Sequence, residues 1–292
     1  MRKMDKVSII VRTCGRPEIL RGALESIRRQ TYPDIETVII EDGPDISRQM
    51  IYTDYSDLQL RYFSTGKRVG RAKAGNLGMT TAWGKYLIFL DDDDVLYPEH
   101  IETLLRTLQS AEEKVAYSIA EEAAAIYREK KKKFYDVRKK VRFREPFNRM
   151  YLLYTNYLPI QSVMFEKSLF EQYGGFRENV DYLEDWDLWV RYAAHTNFKM
   201  VNEITSMYRV PLNNFRRDRK LKHAYNDVQK YFSEYVDVLN FGECHREIND
   251  FIRQKYTPRW KNAVGFSKEV LEGVVAFGAS ILNLWLWRKT SD

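Results

Sequence analysis

The sequence predicts an α/β fold with a mainly parallel central sheet flanked by helices. Three observations predict it. Short apolar runs recur without helical spacing, as buried strands do. Amphipathic stretches separate them. Turn residues or acids close several of the runs. In order, Val7 to Val11 reads as the first strand. Pro17 follows at a first helical turn, and Ile19, Leu20, Ala23, Leu24 and Ile27 fall on one helical stripe. Thr37 to Ile40 is a second strand, halted by Asp42-Gly-Pro, and Ile46 to Tyr55 reads as a short helix. Leu58, Leu60 and Tyr62 alternate with polar residues, as in a half-buried strand. Gly70 opens a helix of small residues that reaches Thr81. The run Lys85 to Leu90 is a strand, followed by a helix from Pro98 to about Gln109. Between Val115 and Arg144 the pattern fits strand or helix. Pro159 to Phe165 and Phe198 to Tyr208 read as the last strands, and Pro211 marks a boundary. Beyond about residue 218, Ala224, Val228, Tyr231, Phe232, Tyr235 and Leu239 recur near helical spacing. The expected division is an α/β domain over 1–210, with halves 1–113 and 114–210, and a helical extension over 211–292.

Composition narrows the function classes. The 292 residues suffice for one large domain with an appendage or two small ones. Apolar content of 44% supports a sizeable core. A net charge of +6 suits an anionic small molecule, a phosphate-bearing partner or an anionic membrane face. It is too slight to imply nucleic acid. Two cysteines, Cys14 and Cys244, argue against a disulfide framework and for a reducing cytoplasm. The first residues lack the apolar core of a signal peptide.

Four consecutive aspartates, Asp91 to Asp94, close the strand ending at Leu90. Carboxylates crowded this tightly repel one another. A hard divalent cation, which takes oxygen ligands, would neutralise them. The carboxyl end of a parallel strand is also where open α/β sheets bind ligands. A metal–phosphate site and a solvated acidic turn are both consistent with this run. An EF-hand is not, because its glycine would fall on Leu96. Gly70 to Gly78 can present backbone N–H groups to phosphate at a helix start, or serve packing through Ala72, Ala74 and Gly75. It is no P-loop, since Gly75 is followed by Asn-Leu. Glu184-Asp185 opens a helical stretch, either as a catalytic acid pair or as charge favouring the helix dipole. None of the four histidines lies in a metal-ligand spacing.

Six segments in order carry a family likeness: Val7 to Pro17, Val38-Ile-Ile-Glu-Asp-Gly43, Gly70 to Gly78, Phe89 to Pro98, Gly174-Gly-Phe176 and Glu184 to Arg191. Together, over residues 5 to 210, they resemble the inverting family 2 glycosyltransferases of GT-A fold. The resemblance implies a nucleotide-sugar donor, UDP by default with dTDP and GDP open. It also implies a divalent metal, Mg²⁺ or Mn²⁺, and an acceptor hydroxyl on a glycan or lipid-linked acceptor. It assigns Asp42 to the base, Thr13 and Arg16 to the nucleotide, Arg71 to the diphosphate and Asn76 to nucleotide or sugar. Asp91 and Asp93 match its Asp-x-Asp motif. Asp93 is then the direct metal ligand, Asp91 reaches ribose or metal, and Asp92 supports the sugar. Asp185 becomes the base and Glu184 its neighbour, with Asp187 structural. Cys14 departs from the pattern, standing where the family often has an aromatic, and reads as a packed residue rather than a nucleophile. The Gln-x-x-Arg-Trp motif of processive members is missing: four residues, not two, separate Gln254 from Arg259-Trp260. That argues for transfer of single sugars.

Two rival readings stand beside this one. A nucleotidyltransferase would want a Gly-rich, basic loop after the first strand, which Thr-Cys-Gly-Arg-Pro fits poorly. A non-catalytic anion or nucleic-acid binder would use residues 128–144, where ten Lys or Arg face two acids. That run also fits a solvated hairpin or loop. Finally, Gly273 to Trp287 carries no charge and precedes Arg288-Lys289. It falls short of the ~20 residues needed to span a bilayer. Its aromatic residues suit peripheral contact with the inner face of the plasma membrane, and a helix docked on the catalytic domain or on a second subunit of an oligomer suits it equally.

Overall fold

The structure is a computed structural model that describes residues 4–180, 182–212 and, within 224–232, all but 226 and 229. The expectations for Tyr235 and beyond, including the uncharged run 273–287, lie outside the described residues. The first half runs β1 (Val7–Thr13), α1 (Pro17–Arg28), β2 (Ile35–Glu41), α2 (Arg48–Asp54), β3 (Leu60–Ser64), α3 (Arg71–Thr81), β4 (Tyr86–Asp91), β5 (Val95–Leu96) and α4 (His100–Gln109). The second runs β6 (Val115–Arg128), β7 (Lys133–Val141), α5 (Arg149–Tyr154), β8 (Val163–Glu166), α6 (Lys167–Tyr173), α7 (Glu184–Ala193) and β9 (Phe198–Pro211).

The strands form one sheet in the order β3-β2-β1-β4-β8-β6-β9-β5, with β7 paired to β6. Strands β1 to β4 run parallel, and β9 runs parallel to β6. Strand β8 runs antiparallel between β4 and β6 and welds the two halves together. Parallel pairing dominates, as the apolar runs predict.

Why β1 and β4 are largely apolar follows from the layers on both faces. Ile10, Leu87 and Phe89 pack into a core with α3, α5 and α7. Val7, Ile9, Val11, Ile88 and Leu90 pack into a second core with α1 and α4. A strand buried on both faces has no position for a polar residue except at its ends. The polar ends Arg12, Thr13 and Asp91 therefore emerge together at one edge of the sheet.

The ambiguous stretch from Val115 is strand, a long hairpin of β6 and β7 with a register shift at Ala124/Ala125. The reading of Pro159 to Phe165 as one strand needs correction: a 3₁₀ turn occupies Ile160–Ser162, and only Val163–Glu166 pairs with the sheet. Pro159 supplies no N–H to a ladder, and Ser162 N bonds back to Pro159 O at 2.9 Å. Helices α5 and α6 were not foreseen. They are only six and seven residues long, too short to display helical periodicity. Among the described residues no helix is long and apolar enough to cross a membrane.

Candidate active site

The parallel register sets Arg12 beside Asp91. Both stand at the carboxyl ends of their strands, at the point where strand order reverses and open α/β sheets take ligands. Alternation sends Arg12 and Asp91 to the α7 side, and Thr13 and Asp92 to the α1 side. Two clusters of opposite charge result.

On the α7 side Arg12 is buried and lies over the rings of Phe89 and Phe176. Its Nε donates to Asp91 Oδ1 at 2.9 Å, and Nη1 donates to Glu184 Oε1 at 2.8 Å. Arg71, at the start of α3, donates Nη2 to Asp91 Oδ2 and sets Nε 3.5 Å from Glu184 Oε1. Burial alone would raise the Asp91 carboxyl, but Arg12 and Arg71 hold it at about 2. Asp91 is therefore ionised at any physiological pH.

On the α1 side Thr13 Oγ1 donates to Asp92 Oδ2 at 2.6 Å, and Arg16 forks onto both Asp92 oxygens. Burial pushes Asp92 up to about 7 against the pull of Arg16, with the charges of Asp93 and Asp91 adding to the rise. Burial and Asp91 likewise raise Asp93, whose nearest cation is Arg16 Nη1 at 3.7 Å. Asp94 is buried and raised well above the usual range by burial and by its neighbours Asp93 and Asp91. Strand β9 clamps this turn from the far side: Arg209 N donates to Asp94 Oδ1 at 3.0 Å, and Arg209 Nη1 to the Asp93 carbonyl at 2.7 Å.

The acid pair begins α7. Leu183, just before it, sits at φ 62°, a left-handed conformation that a leucine adopts only under constraint from its surroundings. Trp186 and Trp189 are fully buried and donate Nε1 to the carbonyls of Leu152 and Leu158, fixing the helix. Asp187 points away and is shared by Arg177 and Arg191, the structural part read from the sequence. Asp185 Oδ2 accepts from Asn156 Nδ2 at 3.0 Å. Burial, then the Glu184 charge, push Asp185 up to about 6.

Asp91, Asp93, Arg71, Glu184 and Asp185 line one cavity of about 830 Å³, together with Arg12, Asn156, Tyr208 and Arg209. The other sequence-predicted residues do not line it. Thr13 and Arg16 meet on Asp92 behind the acidic turn. Asp42 accepts from Val69 N at 2.6 Å and Gly70 N at 3.1 Å, fastening the turn that launches α3. Gly70 stands at φ 98°, where a side chain would be strained. Asn76 is spent on the backbone of Phe176, donating at 2.9 Å and accepting at 2.7 Å. Cys14 is a half-buried free thiol. Among the described residues no cluster of three or more His, Cys, Asp or Glu is arranged to hold a metal by itself.

Sequence patterns pointed to neither Arg12, Asn156 nor Arg209. A signal existed only for Arg12. A lone arginine ending an apolar run must find carboxylate partners, because a buried cation is costly without them.

A cavity at the carboxyl edge of a mainly parallel sheet, walled by an acidic turn, four arginines and a buried acid pair, defines a transferase of GT-A fold. Solved structures carry the same fold. Staphylococcus aureus TarS residues 1–349 in complex with UDP aligns with TM-score 0.65 at 16% identity, covering 88% of this chain and 73% of that one. The mannosyltransferase PcManGT from Pyrobaculum calidifontis, in complex with GDP-Man and Mn²⁺, aligns with TM-score 0.55 at 15% identity, covering 98% and 84%. Among curated proteins, the uncharacterized glycosyltransferase MJ1057 of Methanocaldococcus jannaschii is 27% identical over 248 residues, 80% of this chain and 79% of its own. Residues 8–174 match the model of Glycosyl transferase family 2, and the chain belongs to that family. It is a glycosyltransferase.

Proposed function

We propose that the protein moves a single sugar from a nucleoside-diphosphate sugar, with UDP as the default nucleotide, to a hydroxyl of a glycan or lipid-linked acceptor. Transfer proceeds with inversion, by one in-line displacement at the anomeric carbon. The observation that carries this reading is Asp185. Its carboxyl lines the cavity, lies next to the Arg-held Glu184, and titrates at about 6 rather than near the ordinary aspartate value. Such a group is ionised at pH 7 yet basic enough to take the acceptor proton as the new bond forms. Asn156 orients it.

Arg71 faces the cavity from the start of α3, and with Arg12 it supplies positive charge for the diphosphate. Thr13 and Arg16 brace the nucleotide side through Asp92. Asp42 keeps free lone pairs on its two oxygens for an N–H of the base. Asn76 holds the Gly174 to Phe176 loop against α3.

The carboxylates suit a divalent cation. Asp93 lines the cavity with one distant cationic partner among the described residues, and burial and the Asp91 charge disfavour its ionisation. Mg²⁺ is characteristically bound through one or two carboxylates plus substrate phosphates, and Asp93 backed by Asp91 offers that set. When bound, Mg²⁺ or Mn²⁺ would neutralise charge on the departing nucleoside diphosphate. The TarS complex with UDP and the PcManGT complex with GDP-Man and Mn²⁺ support a nucleotide-sugar donor and a metal by analogy of fold.

The uncharged run 273–287 and the basic residues beside it support a place at the inner face of the plasma membrane. A donor screen read by nucleotide release, with and without EDTA, tests the function. Release stimulated by an acceptor and abolished by EDTA is expected. No turnover of any UDP-, dTDP- or GDP-sugar would overturn it.

A further inference from the structure

Of the ten Lys or Arg of residues 128–144, eight fall on the β6–β7 hairpin, and Arg142 and Arg144 follow it directly. Among the described strands β7 pairs only with β6, so its outer edge is open. Alternate residues of a strand face the same way. Arg138 and Lys140 thus follow one another along one side of β7, and Arg142, just past its end, reaches the same Glu122 carboxylate as Lys140. The register sets Lys140 opposite Glu122 and Arg138 opposite Ala124, and Glu122 opposite Tyr208 of β9. Tyr208 and Arg142 both line the active-site cavity. This side of the hairpin therefore continues the cavity wall outward.

Acids are scarce along it. Glu122 accepts from Tyr208 Oη at 3.0 Å and from Arg142 Nη1 at 3.2 Å, and pairs with Lys140 Nζ at 3.0 Å. One buried carboxylate thus serves two cations and a phenol. Arg138 has no acidic partner among the described residues. Three cations set against one acid leave two positive charges uncompensated. Neighbours in the row stand roughly 7 Å apart along the strand. The row is one residue wide and ends in the cavity. That suits a chain entering end-on better than a flat bilayer.

We propose that Arg138, Lys140 and Arg142 form a track for an acceptor chain bearing repeated phosphate groups, which delivers its terminal hydroxyl to the cavity. The proposal rests on reading that cavity as the site of transfer. The phosphates lie along the hairpin, and the terminal unit passes Arg142 toward Asp185. Binding is electrostatic, so it weakens steeply with salt.

The test uses the full chain and the double variant Arg138→Gln/Lys140→Gln, which keeps unbranched polar side chains, removes both charges and leaves Arg142 in place. Three probes are used: long-chain inorganic polyphosphate, uncharged dextran, and phosphatidylglycerol vesicles. UDP affinity is measured in parallel. Wild type should bind polyphosphate and not dextran. The double variant should bind polyphosphate at least ~10-fold more weakly, with a slope of log affinity against log salt shallower by roughly 1.4–1.8. UDP affinity should be equal in the two proteins. Equal polyphosphate affinity in both proteins overturns the track. Binding of vesicles without polyphosphate overturns it too, and assigns the hairpin to a membrane face. Failure of both proteins to bind UDP would instead count against the donor reading and leave the polyphosphate comparison standing on its own.

Discussion

Arg12 and Glu184, 172 positions apart in the chain, meet in a buried ion pair of 2.8 Å. The same guanidinium holds Asp91 through Nε and Nη2. One side chain at the end of β1 thus sets the acidic turn after β4 against the acid pair of α7. Burial opposes the charge on Arg12, and Asp91 and Glu184 outweigh it, so its pKa is raised. Breaking such a cluster from one side leaves buried charge without a partner, which is far worse than never having built it.

Arg12→Met keeps an unbranched, largely apolar stem and removes the cation. It should destabilise the protein by about 3–5 kcal/mol, the scale for stranding buried carboxylates. Arg12→Lys retains a charge but cannot fork onto both partners, and should fall between. Urea unfolding midpoints measure this. A Met variant as stable as wild type would mean that Arg71, which also pairs with Asp91 and Glu184, suffices for both.

Asp93→Ala should abolish transfer while the fold survives, because Asp93 lines the cavity and, among the described residues, makes one long ion pair. Its far-UV spectrum and melting temperature should match wild type within the range of ordinary surface substitutions. Mn²⁺ binding, followed by calorimetry in the presence of UDP, should be lost in parallel. Wild-type turnover undiminished in EDTA would remove metal from the reaction.

Asp185→Asn keeps shape and removes basicity. Turnover should drop by roughly 10²-fold or more, with UDP binding retained. Stability should move the other way. The native carboxyl titrates at about 6, and the unfolded one at about 3.9. Between those values the native state holds a proton that the unfolded state has released, so stability falls as pH rises from about 4 to about 6. Above pH 6 the full penalty is present, and the Asn variant escapes it. Its stability at pH 7 should exceed wild type by on the order of 1–3 kcal/mol. Retained turnover would transfer the base role to Glu184.

The parts of this site that were legible in the sequence sit at strand ends in the first half. A parallel strand buried on both faces is a continuous apolar run, so its end is visible, and Asp42 and Asp91 to Asp94 stand there. The acid pair was visible because α7 follows it with a long amphipathic helix. What could not be read were side chains whose partners lie far along the chain. Asn156 lies between a six-residue helix and a 3₁₀ turn, with no periodicity to mark it. Arg209 sits in a strand whose register against β6 shifts twice, so its meeting with Asp93 and Asp94 has no local signature. Asn76 and Asp42 were legible as strand-end or helix-start residues, but their hydrogen bonds to Phe176, Val69 and Gly70 depend on how loops close. The hairpin was ambiguous because its inner strand is rich in alanine, which fits helix and strand alike.

The last expectation concerns Asn156. Its Nδ2 donates to Asp185 Oδ2 at 3.0 Å, and this bond favours the ionised carboxylate. Its Oδ1 accepts from Leu158 N at 3.3 Å, which aims the amide. Asn156→Ala removes the donor and leaves the burial and the Glu184 charge that push Asp185 up. The acidic limb of the kcat/KM profile, expected near pH 6 in wild type, should therefore move to higher pH. Asn156→Asp replaces the donor with a third carboxylate and should move the limb further still. A residue that merely supported the fold would lower activity at every pH and leave the limb in place. Profiles of the three proteins that superimpose after scaling would show that Asn156 does not tune Asp185.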